Sequence, residues 1–185
     1  MRAIVQRVAS ASVEVPTNSP SLSPNLPPLV FVSSSRVNLR SYGNSQVEGR
    51  LVSAIGPGLL VLVGLHDSDN DADADYICRK VLNMRLFPNE ETGKTWDLSV
   101  IQKNHEILLV SQFTLCGILK GNKPDFHLAM PPDKAKPFYA AVVEKFRKTY
   151  KHDAVKDGIF GAMMKVNLVN DGPVTMEVDS TQKTK

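Results

Sequence analysis

Asn170-Asp171-Gly172-Pro173-Val174-Thr175-Met176-Glu177 places a Gly-Pro step inside what otherwise reads as one long β-segment. Proline removes a ladder donor and glycine opens φ/ψ space closed to other residues. The pair therefore either turns the chain into a hairpin or holds extended backbone in an unusual pose. These readings give the carboxy-terminal region different topologies, and Asn-Asp-Gly-Pro by itself reads as a turn.

Upstream of it, residues 162–169 read as a strand, preceded by a helix from Asp133 to about His152 with Phe138, Ala141, Val142, Lys145 and Phe146 near one face. Ile107-Leu108-Leu109-Val110-Ser111-Gln112-Phe113-Thr114-Leu115 reads as a strongly apolar strand whose end turns polar. Gly56-Pro57-Gly58 leads into Leu59-Leu60-Val61-Leu62-Val63-Gly64-Leu65, an unbroken apolar run expected of a central strand buried on both faces. Asp67-Ser68-Asp69-Asn70-Asp71 supplies N-cap candidates for a helix over residues 72–83, with carboxylates suited to its dipole. Residues 1–15 alternate apolar and polar positions and read as one or two strands. Pro16 to about Gln46 holds five prolines among many Ser and Asn, a composition that reads as a mobile insertion, with Leu29-Val30-Phe31-Val32 as a possible sheet-edge patch. Asp179 to Lys185 reads as a frayed polar tail.

The expected architecture is a mixed α/β single domain over residues 1–178, predominantly antiparallel and barrel-like, with two main helices. Its 185 residues, 42% hydrophobic, suffice for one domain with a sizeable core. No apolar run approaches the roughly 20 residues of a membrane span, and Arg2 and Arg7 interrupt the first apolar segment, so no membrane partner and a cytoplasmic location are expected. Cys78 and Cys116 read as packing residues rather than a disulfide framework.

Familiar chemistries lack their parts. Gly56-Pro57-Gly58 misses the third glycine of a dinucleotide fingerprint, and a strand follows it. Walker, Gly-x-Ser-x-Gly and His-Glu-x-x-His patterns are absent. His66, His105, His127 and His152 show no zinc-ligand spacing, so neither a metal nor another cofactor is expected. A net charge of +3 permits a nucleic-acid partner, and the basic excess is concentrated between Lys120 and Lys151. In Ser111-Gln112-Phe113-Thr114, hydroxyls and an amide cluster where a strand emerges, and no base lies beside Thr114 in sequence.

Jointly, Met1-Arg2-Ala3-Ile4-Val5-Gln6-Arg7-Val8, Ser111-Gln112-Phe113-Thr114-Leu115, Leu119 to His127, Phe160-Gly161-Ala162 and Asn170 to Thr175 resemble the D-aminoacyl-tRNA deacylase family, over residues 1–15 and about 47–178. Five short motifs in register make the likeness specific, and residues 16–46 depart from it where a short hairpin connection is expected.

The resemblance implies a homodimeric hydrolase. Its substrates would be D-aminoacyl-tRNA and glycyl-tRNA, including glycine mischarged on tRNA-Ala, with L-aminoacyl-tRNA rejected. It implies that Gly172 and Pro173, joined by a cis bond and fixed by Arg7, line the partner subunit's pocket as the chiral wall. Ser111, Gln112, Phe113 and Thr114 would receive the aminoacyl group, either with Thr114 as nucleophile or with assistance from the substrate's 2′-hydroxyl, the second being favoured. Lys120, Lys123, Phe126, Asn170 and Thr175 would contact substrate or tRNA. The rival readings are a non-catalytic nucleic-acid-binding module of the same fold and a related deacylase with a trans Gly-Pro bond and altered chirality.

Overall fold

The computed structural model describes residues 1–16 and 49–182. Within them a six-stranded sheet runs in the order β10-β1-β3-β6-β9, with β2 joined to β1. The first strand, β1 (Arg2–Pro16), is its hub. Its first half pairs with β3 (Gly58–Gly64), its second half with β2 (Gly49–Ile55), and its other edge with β10 (Lys165–Asp179) along both halves, all antiparallel. Alternation along β1 decides which side chains go inward: Ala3, Val5, Val8, Ala11, Val13 and Val15 are buried.

The apolar run of β3 is buried on both faces, as its composition requires. Leu59, Val61 and Val63 join the core beneath the helices, and Leu60 joins a second core with Val8, Ala11, Val13, Ile55, Leu108 and Val110. That second core is enclosed because β2 folds back over the sheet toward β6 and β9. There the Ser53 hydroxyl donates to the Asp157 carbonyl at 2.6 Å. The sheet is thereby nearly barrel-shaped.

From β3 the chain passes through α1 (Asp71–Asn83) and the hairpin β4 (Phe87–Asn89) and β5 (Lys94–Leu98), then enters β6 (Glu106–Ser111). Asn70 caps α1: its Oδ1 accepts from the Ala72 N–H at 2.9 Å, and the Asp73 carboxylate accepts from the Asn70 N–H at 3.0 Å. The helical crossover returns β6 parallel to β3. Past the hairpin β7 (Ile118–Lys120) and β8 (Lys123–Asp125), α2 (Pro132–Thr149) carries out the same operation, and β9 (Val155–Asp157) lies parallel to β6. Antiparallel pairing thus dominates around β1, whereas β3-β6-β9 is parallel.

Four readings change. The strand expected over residues 107–115 stops at Ser111, and Phe113–Cys116 forms a 3-10 turn. The second helix ends at Thr149 rather than near His152, where the Tyr150 hydroxyl donates to the His105 carbonyl at 3.0 Å. The Gly-Pro step is not a hairpin turn, since β10 pairs with β1 on both sides of it. Asp179 and Ser180 do not fray: both are buried, Asp179 pairs with Arg2 at 3.0 Å, and the Ser180 N–H donates to the Met1 carbonyl at 2.9 Å. The stretch from Pro16 to Gln46 and its Leu29 to Val32 patch lie outside the described residues, apart from Pro16, which closes β1. No helix among the described residues is long and apolar enough to cross a membrane.

One buried polar atom stands out in the main core. Tyr139 of α2 is 3% exposed and sits 5.7 Å from the Phe160 ring, and its hydroxyl has no hydrogen-bond partner among the described residues. A buried unsatisfied hydroxyl carries its desolvation cost uncompensated, about 1–3 kcal/mol. Tyr139→Phe is therefore expected to leave the melting temperature unchanged or raise it, whereas Tyr139→Ala should cost about 3–5 kcal/mol through the cavity it leaves. Thermal and denaturant unfolding of both variants checks this; a marked loss in Tyr139→Phe would mean that the hydroxyl is bonded.

Candidate active site

Ser111 ends β6, and the backbone there is still held: the Gln112 N–H donates to the Val63 carbonyl at 2.8 Å. The chain then tightens, the Leu115 N–H reaching the Gln112 carbonyl at 3.2 Å and the Gly117 N–H the Thr114 carbonyl at 3.0 Å. This turn presses on β3 at Gly64, where an added Cβ would lie 2.7 Å from Leu115 Cβ and 3.1 Å from the Gln112 carbonyl oxygen. From the other side, Arg2 Nη1 donates to the Leu115 carbonyl at 3.2 Å. The turn is thus clamped between β1 and β3, with Gln112 and Thr114 displayed on it. Gln112 Nε2 donates to Thr114 Oγ1 at 2.5 Å, and among the described residues no carboxylate, imidazole or amine is bonded to that hydroxyl.

Phe113 is 58% exposed, and its ring meets the edge of Phe126 at 5.0 Å and 73°. The β7–β8 hairpin therefore lies beside the turn. Within the hairpin Lys120 and His127 both engage the Asp125 carboxylate, whose pKa they hold well below the usual range, Lys120 contributing most. Lys123 is exposed at the hairpin tip, without an ion pair among the described residues. Cys116 is the buried last residue of the turn, and burial pushes its thiol up, as it does for Cys78; neither is a ready thiolate.

The second cluster forms around Arg7. On β10, Asn170 pairs with Val8 and Val174 with Arg7, so Asp171, Gly172 and Pro173 leave the ladder as a loop. The Asn170 side chain closes this loop, its Oδ1 accepting from the Val174 N–H at 3.1 Å. Arg7 Nε lies 2.9 Å from the Asp171 carboxylate, as an ion pair rather than an aligned hydrogen bond. Arg7 Nη1 donates to the Leu86 carbonyl at 2.6 Å, and its guanidinium lies 6.0 Å from the centre of the Trp96 ring. Gly172 has φ of +122°, and a Cβ there would meet Val174 Cγ2 at 2.7 Å and Arg7 Nη2 at 3.3 Å. The Gly172-Pro173 peptide bond is cis. Thr175 is exposed opposite Gln6.

These two clusters do not meet within one chain. Ser111 is in register with Val63 and Ala3, hence with Val178, whereas the loop lies beyond Val174 and three strand spacings away. At about 4.8 Å per spacing and 3.3 Å per residue, they stand roughly 20 Å apart across the sheet. Arg2, Leu86, Trp96 and the Asp125–His127 pair escape a reading of the sequence. Of these, only the spacing in Pro124-Asp125-Phe126-His127 offered a local signal.

A family model described as D-Tyr-tRNA(Tyr) deacylase matches residues 4–179. The chain belongs to this family. As a member of the D-Tyr-tRNA(Tyr) deacylase family it is a hydrolase. It is 53% identical over 137 residues to the D-aminoacyl-tRNA deacylase of Dictyostelium discoideum, covering 74% of this chain and 91% of that one. It is 52% identical over 134 residues to the human D-aminoacyl-tRNA deacylase 1, covering 72% of this chain and 64% of that protein. A solved structure described as c-Myc DNA Unwinding Element Binding Protein superposes with a TM-score of 0.76 at 44% identity, covering 97% of this chain and 98% of that one.

The close approach at Gly64 makes the turn of this family member testable. Gly64→Ala should displace the turn and reduce ester hydrolysis at least ten-fold, with a stability cost of about 1–3 kcal/mol from overpacking. Activity and unfolding measured together would show it; full activity would mean that the turn's position is not required.

Proposed function

We propose that this chain hydrolyses the ester joining a D-amino acid, or achiral glycine, to the terminal ribose of tRNA, releasing the amino acid and free tRNA as a proofreading step in the cytoplasm. The family match over residues 4–179 carries this reading, and relatives about half identical are named for D-aminoacyl-tRNA deacylation. The proposed acting unit is a homodimer in which the Gly172-Pro173 loop of one protomer faces the Ser111–Leu115 turn of the other. The separation of roughly 20 Å within one chain supports that arrangement, because a loop so placed cannot line its own chain's pocket.

In this reading Arg7, Asn170 and the ladder on either side hold the loop's main chain rigid. Rejection of an L side chain requires a wall that does not yield near the α-carbon, and fixed carbonyls supply one where a rotatable side chain would not. D-residues and glycine direct no side chain at that wall. For the chemistry, Thr114 lacks an activating base among the described residues, and its oxygen already accepts from Gln112. The substrate's own 2′-hydroxyl is the proposed assistant to the attacking water. The Phe113 and Thr114 backbone N–H groups, which open the 3-10 turn and so have no acceptor within it, would in this reading stabilise developing negative charge.

Thr114→Ala is expected to keep measurable deacylation of D-tyrosyl-tRNA, while a substrate ending in 2′-deoxyadenosine should react far more slowly with the unaltered enzyme. Single-turnover kinetics on both substrates provides the check. Equal rates on ribose and deoxyribose ends would remove the assisted route, and complete loss in Thr114→Ala would restore Thr114 as nucleophile.

A further inference from the structure

A groove of about 610 Å³ runs between α1 and β10, walled by Tyr76, Arg79, Lys80 and Met84 on one side and by Met176 and Glu177 on the other. Its cationic wall follows from the helix phase. α1 buries Ala74, Ile77, Cys78, Val81 and Leu82, which leaves Tyr76, Arg79 and Lys80, spaced i, i+3 and i+4, facing along β10. The Arg79 guanidinium lies 5.7 Å and the Lys80 ammonium 5.5 Å from the centre of the Tyr76 ring. Neither has a carboxylate within ion-pair distance among the described residues.

Of the eight cations in the basic segment that dominates the sequence, four are paired, while Lys123, Lys136, Lys148 and Lys151 have no carboxylate at ion-pair distance among the described residues. There Lys120 pairs with Asp125, Lys145 with Asp75, Arg147 with Asp157 at 2.9 Å, and Lys134 approaches Asp67 at 4.0 Å. Two carboxylates also face the groove. Asp179 is committed to Arg2 and to the Thr181 N–H and hydroxyl, which leaves Glu177 as the single opposing charge among the described lining residues.

Two of the groove's lining residues are close in the chain to the loop described above and its support. Met84 precedes by two residues the Leu86 carbonyl that accepts from Arg7, and Met176 follows Pro173 by three along β10. We propose that it seats the phosphodiester backbone of the tRNA acceptor arm, Arg79 and Lys80 each meeting a phosphate while Tyr76 holds them in place. This rests on the deacylase reading, which requires the RNA end to enter beside the Gly-Pro loop, and charge complementarity selects phosphate for a wall of two uncommitted cations.

Direct binding of uncharged tRNA, followed by fluorescence anisotropy across a salt series, tests it without requiring hydrolysis. R79E/K80E should weaken binding at least ten-fold, and both it and the milder R79Q/K80Q should make the salt dependence shallower by roughly one phosphate contact per residue. Glu177→Gln should tighten binding. Lys156→Glu, on β9 at the opposite end of the sheet, should bind within two-fold of the unaltered protein. Wild-type affinity and salt slope in R79Q/K80Q overturn the proposal even if R79E/K80E does not fold, and so does an equal loss in Lys156→Glu. A protein that binds tRNA through this groove but releases no D-amino acid overturns the deacylase reading and leaves the groove standing. An active enzyme whose groove variants bind normally does the reverse.

Discussion

The pairing of the first strand with the last governs this structure. β1 and β10 run antiparallel from Arg2↔Asp179 to Glu14↔Lys165, and register shifts at Arg7/Val8 and Val8/Ser10 are the irregularities in that ladder. At the first of them three residues are extruded, and the guanidinium of Arg7 takes hold of what is extruded. Because β1 also carries β2 and β3, the loop's position is fixed relative to the whole sheet and not merely to its own strand. Such a loop resembles a β-bulge used to aim backbone outward. Arg7 ties Asp171 of the loop to Leu86 and Trp96, which come from separate parts of the chain.

The segments that could be read from sequence are those whose structure is decided locally. Seven consecutive residues from Leu59 to Leu65 with no polar side chain suit a strand buried twice, and Asn70 followed by Asp73 makes a capping box whatever surrounds it. The turn after Ser111 is different. Phe113, Thr114 and Leu115 have the composition of a strand, and it is Gly64 on one side and Arg2 on the other that allow and hold the tighter turn. Likewise Asn-Asp-Gly-Pro satisfies a hairpin as well as a loop. The choice is made by β1 pairing on both sides of the step, a contact about 165 residues distant in the chain.

Charge shows the same limit. The basic run between Lys120 and Lys151 is conspicuous in sequence, but α2 turns Lys134, Lys145 and Arg147 toward Asp67, Asp75 and Asp157, which answer them in pairs. Arg79 and Lys80, inconspicuous in a helix that begins with aspartates, have no carboxylate partner among the described residues. A cation's availability depends on its nonlocal neighbours rather than on the density of lysines around it.

The central claim is that each active site takes its turn from one protomer and its Gly-Pro loop from the other. Mixed dimers test it most directly. Gly172→Ala disables the loop, where a Cβ is strained by φ and crowded by Val174, and Gly64→Ala displaces the turn. Each homodimer should be defective in releasing D-tyrosine from tRNA. If the site is shared, dissociating and reassociating the two variants together restores activity, because the mixed dimer contains one site built from an intact turn and an intact loop. If the mixture stays as inactive as its parents while mixed dimers are shown to form, the two motifs do not combine across the interface, and the shared-site account is wrong.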